Sequence, residues 1–489
     1  MNCINLSARL TAAMLLLAVC LSACGGEPAQ TVTDTTPEST AAAPGSSAEQ
    51  GGETTPAGHT EPTTPDETGE SAGQTEPAEP SAAPEYTADA AGKIASVSVG
   101  TPEEWNRFAR DFNAGRNRFA ESIDVFIETQ LSFAGTAFVA LTGTFSGRIY
   151  GPAQNRENVF EGFENESGEK CSDMTFAMVG GSDGWYGGRG SEADAGFCDI
   201  DAVEGGISLF GGDNGDLTIE NLGFSDISYS ADDSRYEEWG KSGMLCGKAD
   251  SLTLDAVTFT RCMFRQNYTI VDGSFWYPLI PTNLLAKHVE TLRLHRVLAA
   301  NCDAVSLGKS GLFFDYVMGD ASFSEIYLLG CSVTAIADDW GYLALLGYSV
   351  EGKADYEDIT MFDCRTYGYT PSALGRAGSV GKLRNVTVES CKLTTPQGVI
   401  THSGSSSLLF FTNGEWYDYP DEVWYDLEGK TLEGVTPENV VFENCMATLY
   451  QKDFDWYRDR GITVENCLNV TTGPAKREYQ MWMYGEVYD

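Results

Sequence analysis

The 489-residue chain carries 71 Asp and Glu against 31 Lys and Arg, a formal net charge of −40. That balance excludes nucleic acid as a partner, because phosphates need cations to neutralise them, and it suits an extracellular protein with room for divalent cations. At 42% hydrophobic residues the chain has enough apolar content for a sizeable core.

Residues 1–23 read as a signal peptide. Arg9 is the only basic side chain there, and the apolar stretch from Leu10 to Leu21 is too short to span a bilayer. Its end, Leu21-Ser22-Ala23-Cys24-Gly25, resembles the lipobox of bacterial lipoproteins. The resemblance implies that Cys24 is the first mature residue and carries the lipid, so that the protein is anchored to a membrane of the bacterial cell envelope and faces outward. Residues 24–91 are dominated by Thr, Pro, Glu, Ser, Ala and Gly, with no Lys or Arg between Arg9 and Lys93. Such a stretch cannot offset its ordering entropy by burial and is expected to be a disordered linker, held extended by Pro and like charges.

The remaining domain, residues 92–489, opens on "VGTPEEWNRFARDFNAG", which predicts a helix over 102–113. Thr101 is the expected N-cap, Pro102 fits the first turn, Glu104 completes a capping box, and Gly115 ends the helix. Trp105, Phe108, Ala109 and Phe112 fall on one face at i, i+3, i+4 and i+7, so they are expected in the core.

A phrase of the form apolar-x-apolar-x-x-slot then recurs along the chain. The slot holds Leu222, Val257 and Val297, then Cys331, Cys364, Cys391, Cys445 and Cys467, mostly at spacings of 22 to 40 residues. Strict alternation predicts short strands, and repeats of this length predict stacking into a solenoid. A second slot, five residues on, holds Ile227, Cys262, Cys302 and Ile336. Because Leu and Val alternate with Cys, the position reads as a small buried apolar group. A row of metal ligands would not tolerate Leu222 or Val297, and core packing is favoured over disulfides.

Strand, small turn and stacked interior residue together resemble a right-handed parallel β-helix of the pectin-lyase-like kind. In detail the pattern is similar to GLUG-type repeats of bacterial surface proteins, where a Gly-Leu phrase precedes an Ile-x-Asn-Cys strand. The matching phrases are "SGMLCGKA" at Ser242 to Ala249, "GLFFDYVMG" from Gly311 and "GYLALLGYS" from Gly341, and none carries the full motif. "FVALTGTFSGRIYG", Phe138 to Gly151, resembles the turn that opens many such folds. The resemblance implies an all-β, right-handed parallel β-helix solenoid with a short N-terminal capping helix over its open end.

Function must come from sites, since this architecture hosts lyases, hydrolases, adhesins and inert stalks alike. Trp-Tyr pairs recur in Gly-, Pro- or Asp-rich stretches: Trp185-Tyr186, Trp276-Tyr277, Trp416-Tyr417, Trp424-Tyr425 and Trp456-Tyr457. Flat aromatic faces stack on sugars and carboxylates accept their hydroxyls. The expected ligand platform is therefore Trp416, Tyr417, Asp418, Trp424, Tyr425 and Asp426, with Trp276 and Tyr277. The alternative for any single pair is a lid folded onto the core.

No catalytic set is legible. His295 is expected to face outward beside Arg296, with Glu290 nearby in sequence, and no Ser/His/Asp arrangement has the right spacing. Acidic groups occur at Asp213 and Asp216 in "GGDNGD", at Asp232 and Asp233, at Asp338 and Asp339, and from Asp355 to Asp358. "GGDNGD" is shorter than an EF-hand loop, so a solvated turn is expected there, calcium is only the alternative, and no other metal or cofactor is expected. Three readings follow. The first is a lipid-anchored surface protein that binds polysaccharide or a host-surface glycan. The second is a polysaccharide lyase or glycoside hydrolase, and the third a passive spacer.

Overall fold

In the computed structural model the described residues are 83–152, 157–160, 174–177, 195–233, 243–268, 283–306, 310–335, 342–368, 370–395, 407–410, 427–449 and 453–470. All of them fall in one compact unit, Pro77–Asp489. Cys24 lies outside the described residues.

The described chain is all-β with a few short helices, and its principal sheets are parallel. The largest sheet runs through Ile94–Val99, Phe119–Ile127, Gly147–Tyr150, Asp213–Ser225, Cys246–Thr260 and Ala286–Ala300. It continues through Ala321–Leu329, Gly347–Phe362, Arg376–Glu389, Glu438–Glu443 and Thr463–Glu465. A second, eight-stranded sheet takes the short segment that follows each of these strands from Asp213–Ser225 onward, running from Ser228–Asp233 to Leu468–Asn469. Neighbours in both sheets follow sequence order, so residues at equivalent places in successive repeats stand about 4.8 Å apart. Gly147, at φ 132°, is required where it stands: a Cβ there would lie 2.1 Å from the Ile123 carbonyl oxygen.

The register corrects the alignment of the repeats. Leu222 pairs with Val257, Val257 with Val297, and Val297 with Ile326 rather than with Cys331. Ile359, Val386 and Val440 extend that aliphatic column. The cysteines form a separate column five residues on. Ile227, Cys262, Cys302, Cys331, Cys364, Cys391, Cys445 and Cys467 each sit just before a paired residue of the second sheet. Both slots follow the same apolar alternation, so the pattern alone does not separate the two columns. Ile336 lies outside the described residues.

Each column is preceded by a corner in the left-handed region. Asn221, Ala256, Arg296, Glu325, Asp358, Asn385 and Asn439 precede the aliphatic column, and Asp226, Arg261, Asn301, Asp363, Ser390, Asn444 and Asn466 the cysteine column, all at φ between 49° and 55°. Asn and Asp recur there because their short polar side chains tolerate this conformation best among non-glycine residues.

Because cysteine fills this column at every place after Ile227, exchange with Leu or Val does not explain it. Its thiols pack and hydrogen-bond at once. The Cys364 thiol donates to the carbonyls of Phe362 and Leu328 at 3.4 and 3.3 Å, and its sulfur accepts the Cys331 N–H at 3.4 Å. The Cys391 sulfur accepts the Cys364 N–H at 3.3 Å, and the Cys302 sulfur the Cys262 N–H at 3.4 Å. An aliphatic side chain would fill the space without serving these groups. All nine described cysteines are free thiols, and only Cys467 is not buried.

The N-terminal helix spans Pro102–Ala114, with the capping box between Thr101 and Glu104 and Pro102 in its first turn. Trp105, fully buried, stacks on Phe138 at 5.2 Å, meets Phe197 edge-on at 5.0 Å and donates its indole N–H to the Val139 carbonyl at 3.1 Å. The ordered chain begins earlier than composition suggested: Glu85–Ala88, inside the stretch read as linker, is a strand antiparallel to Ile94–Val99. Tyr86 secures it, meeting Phe119 edge-on and donating to Asp111 Oδ2 at 2.9 Å.

Candidate functional site

Three of the Gly-Leu phrases lead into strands that place polar residues side by side. Lys248 pairs with His288, His288 with Tyr316, Tyr316 with Ser349, and Ser349 with Arg376. The residues before them, Lys287, Asp315 and Tyr348, form a parallel row. Beneath both rows Cys246, Ala286 and Phe314 are buried in the core. At strand spacing, five residues in register cover about 19 Å.

The imidazole of His288 stacks on Tyr316 with centroids 5.1 Å apart and planes 13° from parallel, and Tyr348 meets Tyr316 edge-on at 5.0 Å. Tyr348, Asp315 and Ser349 are buried, whereas His288, Tyr316, Lys287 and Arg376 are half-buried and Lys248 is exposed. The Ser349 hydroxyl donates to Glu351 Oε1 at 2.8 Å, and Arg376 donates to the same oxygen at 3.1 Å.

Burial, reinforced by the charges of Lys287 and Lys248, pushes the His288 pKa down to about 4, so its imidazole is neutral at neutral pH. Burial also lowers the Lys287 pKa, against the opposing pull of Asp315. Burial raises the Tyr316 phenol, with Asp315 adding to it. His288 Nδ1 is buried and has no hydrogen-bond partner. The two rows together therefore combine a stacked aromatic surface, a neutral imidazole, an amine of reduced basicity and two further cations. Clustered shifts of this kind mark places where a protein binds or transfers protons.

A second polar cluster lies on the main sheet. His295 Nδ1 is 3.0 Å from Asp255 Oδ1 and its Nε2 is 3.3 Å from Glu325 Oε1, while Arg296 donates twice to Asp255 Oδ1, at 2.8 and 2.6 Å. His295 does face outward, but its neighbours are Asp255 and Glu325 from adjacent strands, not Glu290. Both nitrogens of this imidazole and the guanidinium of Arg296 are already engaged. The cluster reads as a ladder of surface pairs on neighbouring strands, each of modest energy.

The expected ligand platform, Trp416, Tyr417, Asp418, Trp424, Tyr425, Asp426, Trp276 and Tyr277, lies outside the described residues, as do Trp185, Tyr186, Asp338 and Asp339. The pair that is described follows the lid alternative: Tyr457 is fully buried, and Trp456 is covered by the Arg460 guanidinium 3.6 Å from its ring centroid. "GGDNGD" is not the expected solvated turn. Asp213 to Asp216 open the strand Asp213–Ser225, Asn214 Oδ1 accepts the Phe145 N–H at 3.2 Å, and Asp216 accepts the Ser251 hydroxyl at 2.8 Å. Asp232 and Asp233 end a strand, and Asp355 to Asp358 lie within one. No group of three or more His, Cys, Asp or Glu that could hold a metal ion occurs among the described residues.

Sequence reasoning missed Lys287, Asp315, Tyr316 and Tyr348. The signal was there in the sequence: aligning "LLAKHV" with "LFFDYV" and "LLGYSV" from two of the Gly-Leu phrases, on their shared final valine, sets these residues in register. No family model, no curated protein and no solved structure matches the chain.

Proposed function

We propose that the chain winds as a right-handed parallel β-helix, with GLUG-like repeats, that it is held at the cell envelope by a lipid on Cys24, and that it binds a glycan across the row from Lys248 to Arg376. The observation that carries this reading is the stacked His288–Tyr316 pair, set in register between Lys248 on the neighbouring strand and Arg376 two strands on. Aromatic faces take the apolar faces of sugar rings, and the flanking ammonium and guanidinium serve hydroxyls or carboxylates. The test is a glycan array probed with the purified full chain, beside Tyr316→Ala and His288→Ala. Each substitution is expected to weaken binding about tenfold, the equivalent of about 1.4 kcal/mol. Unchanged binding by both variants overturns the reading.

One observation favours a second reading, in which the glycan is also cleaved by a lyase or hydrolase reaction. His288, held neutral, and Lys287, of lowered basicity, are two candidate proton acceptors at consecutive positions of one strand. Every glycan that binds is assayed for cleavage, and binding without turnover removes this second reading.

A further inference from the structure

The cysteine column ends differently from the way it runs. Cys262, Cys302, Cys331, Cys364 and Cys391 are at most 1% exposed, whereas Cys467, the last of the column, is half-buried. Its neighbour Cys445 is buried, and the two stand opposite one another. Met446 and Leu468, the next residues, are paired in parallel, and the Leu468 N–H donates to the Cys445 carbonyl at 2.8 Å. Parallel neighbours about 4.8 Å apart fall within the Cα separation that a disulfide spans. Arg458 sits beside this pair, its guanidinium held at 3.0 and 3.3 Å by the Val464 carbonyl on the strand that leads to Cys467.

From this geometry we propose that Cys467 and Cys445 are a redox-active dithiol, with Cys467 as the attacking thiol and Cys445 as the resolving one. The substrate class is a small or protein-borne disulfide. The Cys467 thiolate attacks one sulfur of that disulfide, forming a mixed disulfide and expelling the other half as a thiolate. The Cys445 thiol then loses its proton and attacks Cys467 Sγ, releasing the second half. The dithiol is oxidised by two electrons, two protons leave it, and the disulfide substrate is reduced to two thiols.

The acid–base asymmetry supports this order. The hydrogen bond from Cys445, with Arg458 assisting, brings the Cys467 thiol down to about 7, against the opposing effect of burial. The Cys445 thiol is raised, first by that same hydrogen bond and then by burial. An accessible thiol with a pKa near ambient pH is the best attacking group in thiol–disulfide exchange. The interior thiols have the same strand spacing but cannot be reached by a disulfide without opening the sheet.

The test equilibrates the full chain with mixtures of oxidised and reduced glutathione, quenches by alkylation and maps the cysteine peptides by mass spectrometry. The wild type is expected to lose two hydrogens at the Cys445–Cys467 pair alone. Cys445→Ser is expected to accumulate a glutathione adduct on Cys467, and Cys467→Ser to form neither adduct nor disulfide at this position. Arg458→Gln is expected to slow adduct formation severalfold at neutral pH without moving its site. Failure of the folded wild type to oxidise at any ratio overturns the proposal, as does absence of the trapped adduct on Cys445→Ser. Equal oxidation of the interior cysteines in native protein overturns it too, because accessibility would then not select the pair. Circular dichroism of each variant distinguishes loss of reactivity from loss of fold.

Discussion

The Tyr457 hydroxyl donates to Glu428 Oε2 at 3.0 Å, and both side chains are fully buried. Glu428 Oε1 accepts the N–H groups of Leu409 and Phe410 at 3.3 and 3.1 Å, while the Tyr457 oxygen accepts that of Leu408 at 3.0 Å. In earlier repeats the equivalent amides are served by the next phrase, as Ala373 and Leu374 are by the carbonyls of Leu408 and Leu409. Here two side chains from the short helices Leu427–Thr431 and Phe454–Arg458 take the place of a further strand. A buried amide without an acceptor is costly, which is why a carboxylate is tolerated inside.

Tyr457→Phe removes one acceptor and one donor from this closure. We expect a loss of about 1–3 kcal/mol, read as a lower urea midpoint. Glu428→Leu, which strands two amides and the phenol, is expected to cost more than Tyr457→Phe. Equal stability of both variants and wild type would show that the closure contributes nothing.

Cys364 tests whether the cysteine column is more than packing. Cys364→Ala leaves the Cys331 N–H without its acceptor and opens a small cavity, for an expected loss of about 1–3 kcal/mol. Cys364→Ser, which keeps a donor and an acceptor, is expected to lose less. If Cys364→Val proves as stable as wild type, apolar filling alone accounts for the column.

Trp105→Ala removes the centre of the aromatic cluster formed with Phe138, Phe197 and Phe210. The expected cost is about 3–5 kcal/mol, seen in thermal unfolding as a large fall in Tm. Thr101→Ala, which removes only the cap of the same helix, is expected to cost about 1 kcal/mol. A Trp105→Ala loss no larger than the Thr101→Ala loss would place the tryptophan outside the load-carrying core.

His288 gives stability a pH dependence of defined sign. Its folded pKa, about 4, lies below the unfolded value of about 6.5. Its contribution is therefore complete above about pH 6.5 and is lost as pH falls from there toward 4, because the unfolded chain takes up the proton first. Urea denaturation of wild type and His288→Phe across that window is expected to show the wild type losing stability relative to the variant. Parallel curves would contradict the depressed pKa.

What the sequence by itself determined lies where local rules decide. The helix Pro102–Ala114 was legible because its cap, its proline and its apolar face all depend on neighbours within a few residues. The β strands were legible because alternation survives whatever the partner is. Register was not: Val297 and Cys331 follow the same apolar pattern, yet Val297 pairs with Ile326, and only the backbone ladder separates the two columns. Tyr86 shows the same limit in the other direction. Nothing near it in sequence suggests order, and its strand exists because Phe119 and Asp111 meet it from afar. The residues of the site can be aligned in the sequence, but their contacts belong to tertiary structure. His288 and Tyr316 are 28 residues apart, and their stacking and the approach of Lys248 to the imidazole arise from parallel pairing, whereas Lys287 is its neighbour in the chain. Residue chemistry is written in the chain, but proximity between strands is set by long-range pairing, which a local pattern does not encode.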